Sequence, residues 1–214
     1  MSRATTTSAS TASSRSAPRS RGEETRRAIL KEALAQATKV GLEGLSIGGL
    51  AKETGMSKSG LFAHFGSKED LQVGVLDFAA YYFVRTVVKP AIEQPRGEPR
   101  IHALVENWFR WERDIVGPGG CIFIAASTEL DDRPGPVRDK LVAEQRRWID
   151  ALARSARIAI DEGHFRPDLD AAQFAFDLFG IILVYHYYHR LLRAPDSEAR
   201  ARHAFEELLK SARV

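Results

Sequence analysis

LSIGGLAKETGMSKSGLFAHFGSKEDLQ, residues 45–72, packs three helix signals into 28 residues. Ile47 to Thr54 and Lys58 to Phe65 read as short helices divided by Gly55-Met56-Ser57. Gly55 can take the left-handed conformation that turns the chain, and Ser57 can cap the second of the two helices. Ser67 with Asp70 three residues on matches a capping box. It opens a long helix from Lys68 to about Gln94 through Leu71, Val75, Phe78, Tyr82 and Val88, with Pro90 as a kink and Pro95 to Pro99 as the end. Upstream, Ile29, Leu30, Ala33, Leu34 and Ala37 recur at three- and four-residue spacing, which predicts a first helix from about Glu23 to Gly41. One helix followed by two short ones at a sharp corner is the pattern of a helix-turn-helix.

Outward from this block the chain divides in composition. Residues 1–22 contain Ser, Thr, Ala and Arg but no Leu, Ile, Phe or Val. They cannot bury enough apolar surface to offset ordering, so a disordered basic tail is expected, without the apolar region of a secretory signal. Arg15, Arg19 and Arg21 leave two readings open for it, a passive tail or an arm that follows DNA. The first 70 residues hold eleven basic and seven acidic side chains against twenty and twenty-one in the rest, so the net charge of +3 is an N-terminal excess.

After residue 99 the reading is helical throughout: about Arg100 to Ile115, Cys121 to Leu130, Pro136 to Glu162, Asp170 to Leu192 and Asp196 to Ser211. Gly117 to Gly120, Asp131 to Gly135, Gly163 to Pro167 and Pro195 divide them. No segment alternates with period two, so the fold class expected is all-α with no sheet. No run approaches the ~20 apolar residues that span a bilayer, and Leu178 to Tyr185 reads as a buried helix. The single cysteine, Cys121, rules out an intrachain disulfide and fits a cytoplasmic protein.

The stretch Thr25 to Leu76 resembles the N-terminal domain of TetR-type repressors, with that family's alanine-bearing second helix, glycine turn, Leu61-Phe62 with His64-Phe65, and Ser67-Lys68-Glu69. Three positions depart from the family's habit: Gly48 and Gly49 stand where a polar or basic side chain is common, and Phe62 stands for a tyrosine. The resemblance implies a helix-turn-helix DNA-binding domain over 23–68 and a larger helical ligand-binding and dimerisation domain over 69–214. Its implied function is a sequence-specific, homodimeric transcriptional regulator, a repressor released from double-stranded operator DNA by a small-molecule effector, with no cofactor, no metal and no membrane partner.

The DNA-contacting residues it implies are Ser46, Lys58, Ser59, Gly60, Phe62, Ala63, His64 and Lys68. Lys58, Ser59 and Gly60 occupy the leading end of the reading helix, where anions are favoured, while His64 and Lys68 fall where the family meets phosphate. Aromatic residues suggest a ligand pocket from Tyr82, Trp108, Trp111, Cys121, Phe123 and Tyr185. The apolar surface of the helix after Asp170 leaves two readings open for Phe174, Leu178, Ile181, Ile182 and Tyr185, a dimer face, which is the one adopted, or a purely intramolecular core. Cys121 permits two readings, an inert buried thiol or a thiolate activated at a helix N-terminus. No nucleophile elbow, phosphate loop, HExxH or paired-carboxylate motif is present, which argues against an enzyme. His186 and His189 form a lone pair of metal-capable side chains.

Overall fold

A computed structural model describes residues 20–115 and 119–214, and the expected tail, residues 1–19, lies outside them. Ten α-helices account for nearly all of it. Helix α1 spans Arg21–Val40, α2 Ile47–Thr54 and α3 Lys58–His64. Helix α4, Lys68–Phe83, runs through a π-helical turn, Val84–Val88, into α5, Lys89–Ile92. Helix α6, Glu98–Arg110, likewise ends in a π turn, Trp111–Ile115. The rest are α7, Ile122–Leu130, α8, Pro136–Asp161, α9, Ala171–Arg190, and α10, Ser197–Ala212. The described residues contain no sheet; Phe165 and Arg213 make one isolated antiparallel bridge.

Helix α1 starts two residues before the sequence-based boundary. Ser20 Oγ accepts from the Glu23 amide and the Glu23 carboxylate accepts from the Ser20 amide, a full capping box. The apolar pattern begins only at Ile29, so a count of apolar residues misses this start. The caps expected at Ser57 and Ser67 form, each accepting an amide from the first turn of the next helix, and Gly55 ends α2 with φ of 66°; Ser46 caps α2 in the same way, a role the sequence reading did not assign.

Pro90 sits at the start of α5 with no break before it, and the irregularity expected there is the π turn just upstream. Lys68–Ile92 is long and apolar enough by composition to cross a bilayer, which a search for unbroken apolar runs overlooks; half of its apolar window is packed inside the protein, as in a core helix.

Ile29, Leu30, Ala33 and Leu34 of α1 pack against Leu71, Val75 and Phe78 of α4, sealing α2 and α3 through Leu50 and Leu61. Each large side chain of that set contributes roughly 1.5–3 kcal/mol by leaving water. The same α4 continues into the body, where it packs on α7 and α8, while α8 packs on α9 and α9 on α10. Body and head also meet where Gly119, just before α7, lies against α1. A Cβ there would stand 1.6 Å from the Thr38 carbonyl oxygen.

Gly119→Ala is therefore expected to cost about 1–3 kcal/mol through forced displacement of the α1 backbone. Urea denaturation of the variant, read against the wild type, checks this; an unchanged midpoint would show that this contact does not constrain the head.

Candidate DNA-reading head and ligand chamber

Helix α3 is held from both ends. Ser57 Oγ accepts from the Gly60 amide at 3.0 Å and lies 3.1 Å from Ser59 Oγ. At the other end Arg26 of α1 donates to the His64 carbonyl at 2.7 Å and stacks over the Phe65 ring at 4.4 Å. Leu61 and Phe65 are buried, which fixes the face of α3 turned outward.

The structure places Ser46, Lys58, Ser59, Phe62, Ala63 and Lys68 on the surface, with Gly60 and His64 half-buried. Phe62, 49% exposed, is a large apolar side chain with nothing over it. The bare Gly48 leaves room for Lys58, whose Cε lies 3.1 Å from where a Cβ would stand. Lys68 is already engaged: its Nζ donates to the Glu43 carbonyl at 2.7 Å and stands 3.6 Å from the Glu43 carboxylate. The Gln72 hydrogen bond, with Lys68 and Arg133 nearby, holds that carboxyl below the ordinary carboxylate range. Lys68 thus serves the α1–α2 loop as well as any phosphate.

That loop is gripped at every polar backbone group of two residues. The Leu42 and Glu43 amides donate to Glu129 of α7 at 3.3 and 2.9 Å. The Leu42 carbonyl accepts from the buried Gln72 side chain at 2.8 Å, and the Glu43 carbonyl from Lys68. Nothing in the spacing of the sequence signals Glu129 or Gln72 for this role, because their partners lie 87 and 30 residues away.

A cavity of about 670 Å³ opens where α4, its π turn, α7 and α8 meet, within the range of small-molecule sites. Phe83 is its hub, making edge-to-face contacts with Trp111, Phe123 and Trp148 at 5.1, 6.1 and 4.9 Å. Of the six expected pocket residues, Trp108, Cys121 and Phe123 line this cavity. Tyr82 does not: it turns toward α1, where its hydroxyl accepts from Arg27 at 3.1 Å, and its neighbour Tyr81 faces the cavity instead. Trp111 stands outside the lining, stacked on Phe123, and Tyr185 is enclosed by Trp108 and Phe109. Trp148, Phe179 and Gln145 complete the wall from α8 and α9; aromatic composition marked them no more than their neighbours.

The activated-thiol reading of Cys121 fails. Burial and the adjacent Glu112 carboxylate push the thiol up to about 12, and these outweigh the helix N-terminus. Glu112 itself is fully buried, accepting from the Cys121 amide at 2.8 Å and pairing with His186 Nδ1 at 2.9 Å. His189 stacks on Tyr185, so the two histidines are engaged apart.

Four of the five residues expected at a dimer face, Phe174, Leu178, Ile182 and Tyr185, are buried inside the subunit, and Ile181 is half-buried. Helix α9 is apolar on both sides. The stripe left open comprises Phe176, Leu183, Val184, Tyr187, Tyr188 and Leu191; Val184 and Tyr188 border a groove of about 410 Å³ between α9 and α10, where Gly180, Ala201 and Ala204 leave the space open.

Family models match both parts of the chain: residues 29–73 match "Bacterial regulatory proteins, tetR family", and residues 97–205 match "Tetracyclin repressor-like, C-terminal domain". The chain belongs to the TetR family. It is accordingly a non-catalytic, DNA-binding transcriptional regulator.

Solved structures agree in fold. A TetR transcriptional regulator from Chloroflexus aurantiacus J-10-FL is 24% identical, with TM-score 0.74 over 88% of this chain and 94% of that one. A putative regulator from Saccharomonospora viridis, solved with choline, is 22% identical, with TM-score 0.74 over 90% and 99%. AibR, solved with isovaleryl coenzyme A and operator DNA, is 23% identical, with TM-score 0.68 over 87% and 98%. Comparison with curated proteins gave no significant match.

Burial also sets an alkaline limit to stability. Cys121 and the buried Tyr185, whose hydroxyl has no hydrogen-bond partner among the described residues, are both pushed up to about 12, from ordinary values of 9 and 10. Each therefore keeps its proton when folded and loses it first when unfolded. The contribution is complete below pH 9 and drains between pH 9 and about 12, at up to ~1.4 kcal/mol per pH unit for each group. Urea titrations from pH 8 to 11 are expected to show a falling midpoint, and Cys121→Val to flatten its first part; a wild-type midpoint that stays level would contradict the assignment.

Proposed function

We propose that the chain acts as a homodimeric repressor, reading a two-fold operator with paired α2–α3 heads and letting go when a small molecule fills the chamber between α4, α7 and α8. The supporting observation is that two of the helices lining the chamber, α4 and α7, also hold the head. Phe83 is the last residue of α4, whose other end supplies Lys68 and Gln72 to the α1–α2 loop. Cys121, Phe123 and Ile124 line the chamber at the start of α7, and Glu129 near its end clasps the same loop. A relative of the same fold solved with both a small molecule and operator DNA supports this pairing of functions.

In this reading Lys58, Ser59, Gly60 and Ala63 approach base edges, Phe62 makes apolar contact in the groove, and Ser46, His64 and Lys68 lie toward the phosphates. The exposed stripe of α9, with α10, covers itself against a second copy. An apolar strip of that length is the usual mark of an interface, and isologous pairing buries both copies at once.

Selection from a random DNA pool is expected to return a palindrome with half-sites about one helical turn apart or a multiple of it. Val184→Arg should yield a folded monomer by light scattering that no longer retains the selected sequence. A dimer that survives the substitution, or a selected motif without symmetry, would refute the paired-head reading.

Glu129→Ala tests the route to the head. It leaves α3 untouched, yet it should lower operator affinity about tenfold and speed amide exchange at Leu42 and Glu43, since both amides lose their acceptor. Unchanged affinity together with unchanged exchange would remove α7 from the mechanism.

A further inference from the structure

The charges around the chamber are unevenly balanced. Four ionised side chains border it: Arg85, Lys89, Glu144 and Arg147. Glu144 is already matched, with Arg147 at 2.6 Å and Lys140 at 2.8 Å. Arg85 and Lys89 stand four residues apart on the side of the chain that borders the chamber, through the π turn and into α5. Among the described residues neither has a carboxylate partner; the Arg85 guanidinium rests on Tyr81, donating to its hydroxyl at 2.6 Å. Two like charges at this spacing repel slightly and draw an anion to the point between them.

Behind this mouth the wall is aromatic, with Phe83, Trp108, Phe123 and Trp148 all buried. The chamber therefore offers two environments in series, a dry aromatic interior and a cationic rim. The π turn between them is fixed from outside: the buried Asn107 of α6 donates to the Val87 carbonyl at 3.0 Å. The cations are thus carried on a braced segment.

We propose that the effector is an amphipathic organic carboxylate, its aromatic or hydrocarbon body enclosed by Phe83, Trp108, Phe123 and Trp148 and its carboxylate held between Arg85 and Lys89. This rests on the chamber being the effector site and adds the chemical class of the occupant. Arg85 can offer a planar pair of donors and Lys89 a point charge, and both lie close enough to water that the ligand keeps part of its hydration while entering. Neutral ligands of the same shape would gain the interior but not the rim; cationic ones would be opposed by it.

A matched trio tests charge at constant shape: 1-naphthaleneacetate, 1-naphthaleneacetamide and 1-naphthylethylamine, titrated calorimetrically into the full-length protein at low and moderate salt. The carboxylate is expected to bind at least tenfold more tightly than the amide, with the amine weakest, and the margin to shrink as salt rises. In Arg85→Met/Lys89→Met the carboxylate should fall to the amide's affinity while the amide stays within about twofold of its wild-type value. Ala151→Phe, which fills the chamber from α8, should weaken all three. Equal binding of carboxylate and amide by the wild type would overturn the carboxylate assignment and leave the chamber intact. Binding unaffected by Ala151→Phe, or no binding of any of the three at millimolar concentration, would overturn the chamber reading and the assignment together.

Discussion

Two peptide units, at Leu42 and Glu43, are the point on which head and body depend. A loop between helices must satisfy its amides and carbonyls, and here each of those four groups meets a side chain from α4 or α7, the Leu42 carbonyl also accepting from the Leu45 amide at 3.3 Å. Glu129 takes both amides, Gln72 one carbonyl and Lys68 the other. The orientation of α2 and α3 is thereby referred to α4 and α7. Breaking the buried bond from Gln72 to the Leu42 carbonyl would cost about 1–3 kcal/mol, and the more exposed bonds at Glu43 less, so the loop tends to move with its side-chain partners.

The helices were legible because their signals are local. Ser57, Gly55 and Ser67 announce caps and a corner within a few residues of the elements they bound, and the structure puts each in that role. Ser20 and Glu23 carried an equally local signal, overlooked because the apolar pattern starts later. The shape of the site is another matter. Tyr81 and Tyr82 are adjacent and chemically alike and Arg27 reaches both rings, yet helical rotation puts only Tyr81 on the chamber. Deciding between them requires the phase of α4 relative to α7 and α8, which no count along one helix contains.

Helix α9 shows the same limit more sharply. Phe174, Leu178, Ile182 and Tyr185 lie on one side and Phe176, Val184, Tyr188 and Leu191 on the other. A helix apolar all round has two faces to cover, and composition says only that something covers each. The subunit's own core takes the first set, with α8 and α10 packed along α9, Phe165 against Phe174, and Trp108 and Phe109 of α6 against Tyr185. The sequence-based choice of interface fell on the residues the protein needs for its own core. For Cys121, the helix N-terminus was visible in the sequence but the buried carboxylate of Glu112, nine residues earlier, was not, and desolvation with a negative neighbour reverses the expected shift.

The division of labour among the chamber helices limits how a ligand can act. Helices α4 and α7 are tied to the head, whereas α8 bears Trp148, Gln145 and Ala151 on the chamber and packs on the α9 side of the body. A molecule that enlarges the chamber must move α4 and α7 relative to α8. If it moved those two together, the loop grip would be carried along and the head would rotate as a unit; if it moved them apart, Glu129 would pull against Gln72 and Lys68. Release of tenfold to a hundredfold corresponds to ~1.4–2.8 kcal/mol of difference in ligand affinity between the two head positions. That is the scale of one or two of the hydrogen bonds in the grip. A sub-ångström change at Phe83 is therefore sufficient when it alters the fit of those bonds. The π turn at Val84–Val88 adds a reason why the displacement should pass toward the head rather than into α5: Asn107 holds the segment beyond Phe83 through the Val87 carbonyl, so the α-helical run from Phe83 back to Lys68 is the side left to move.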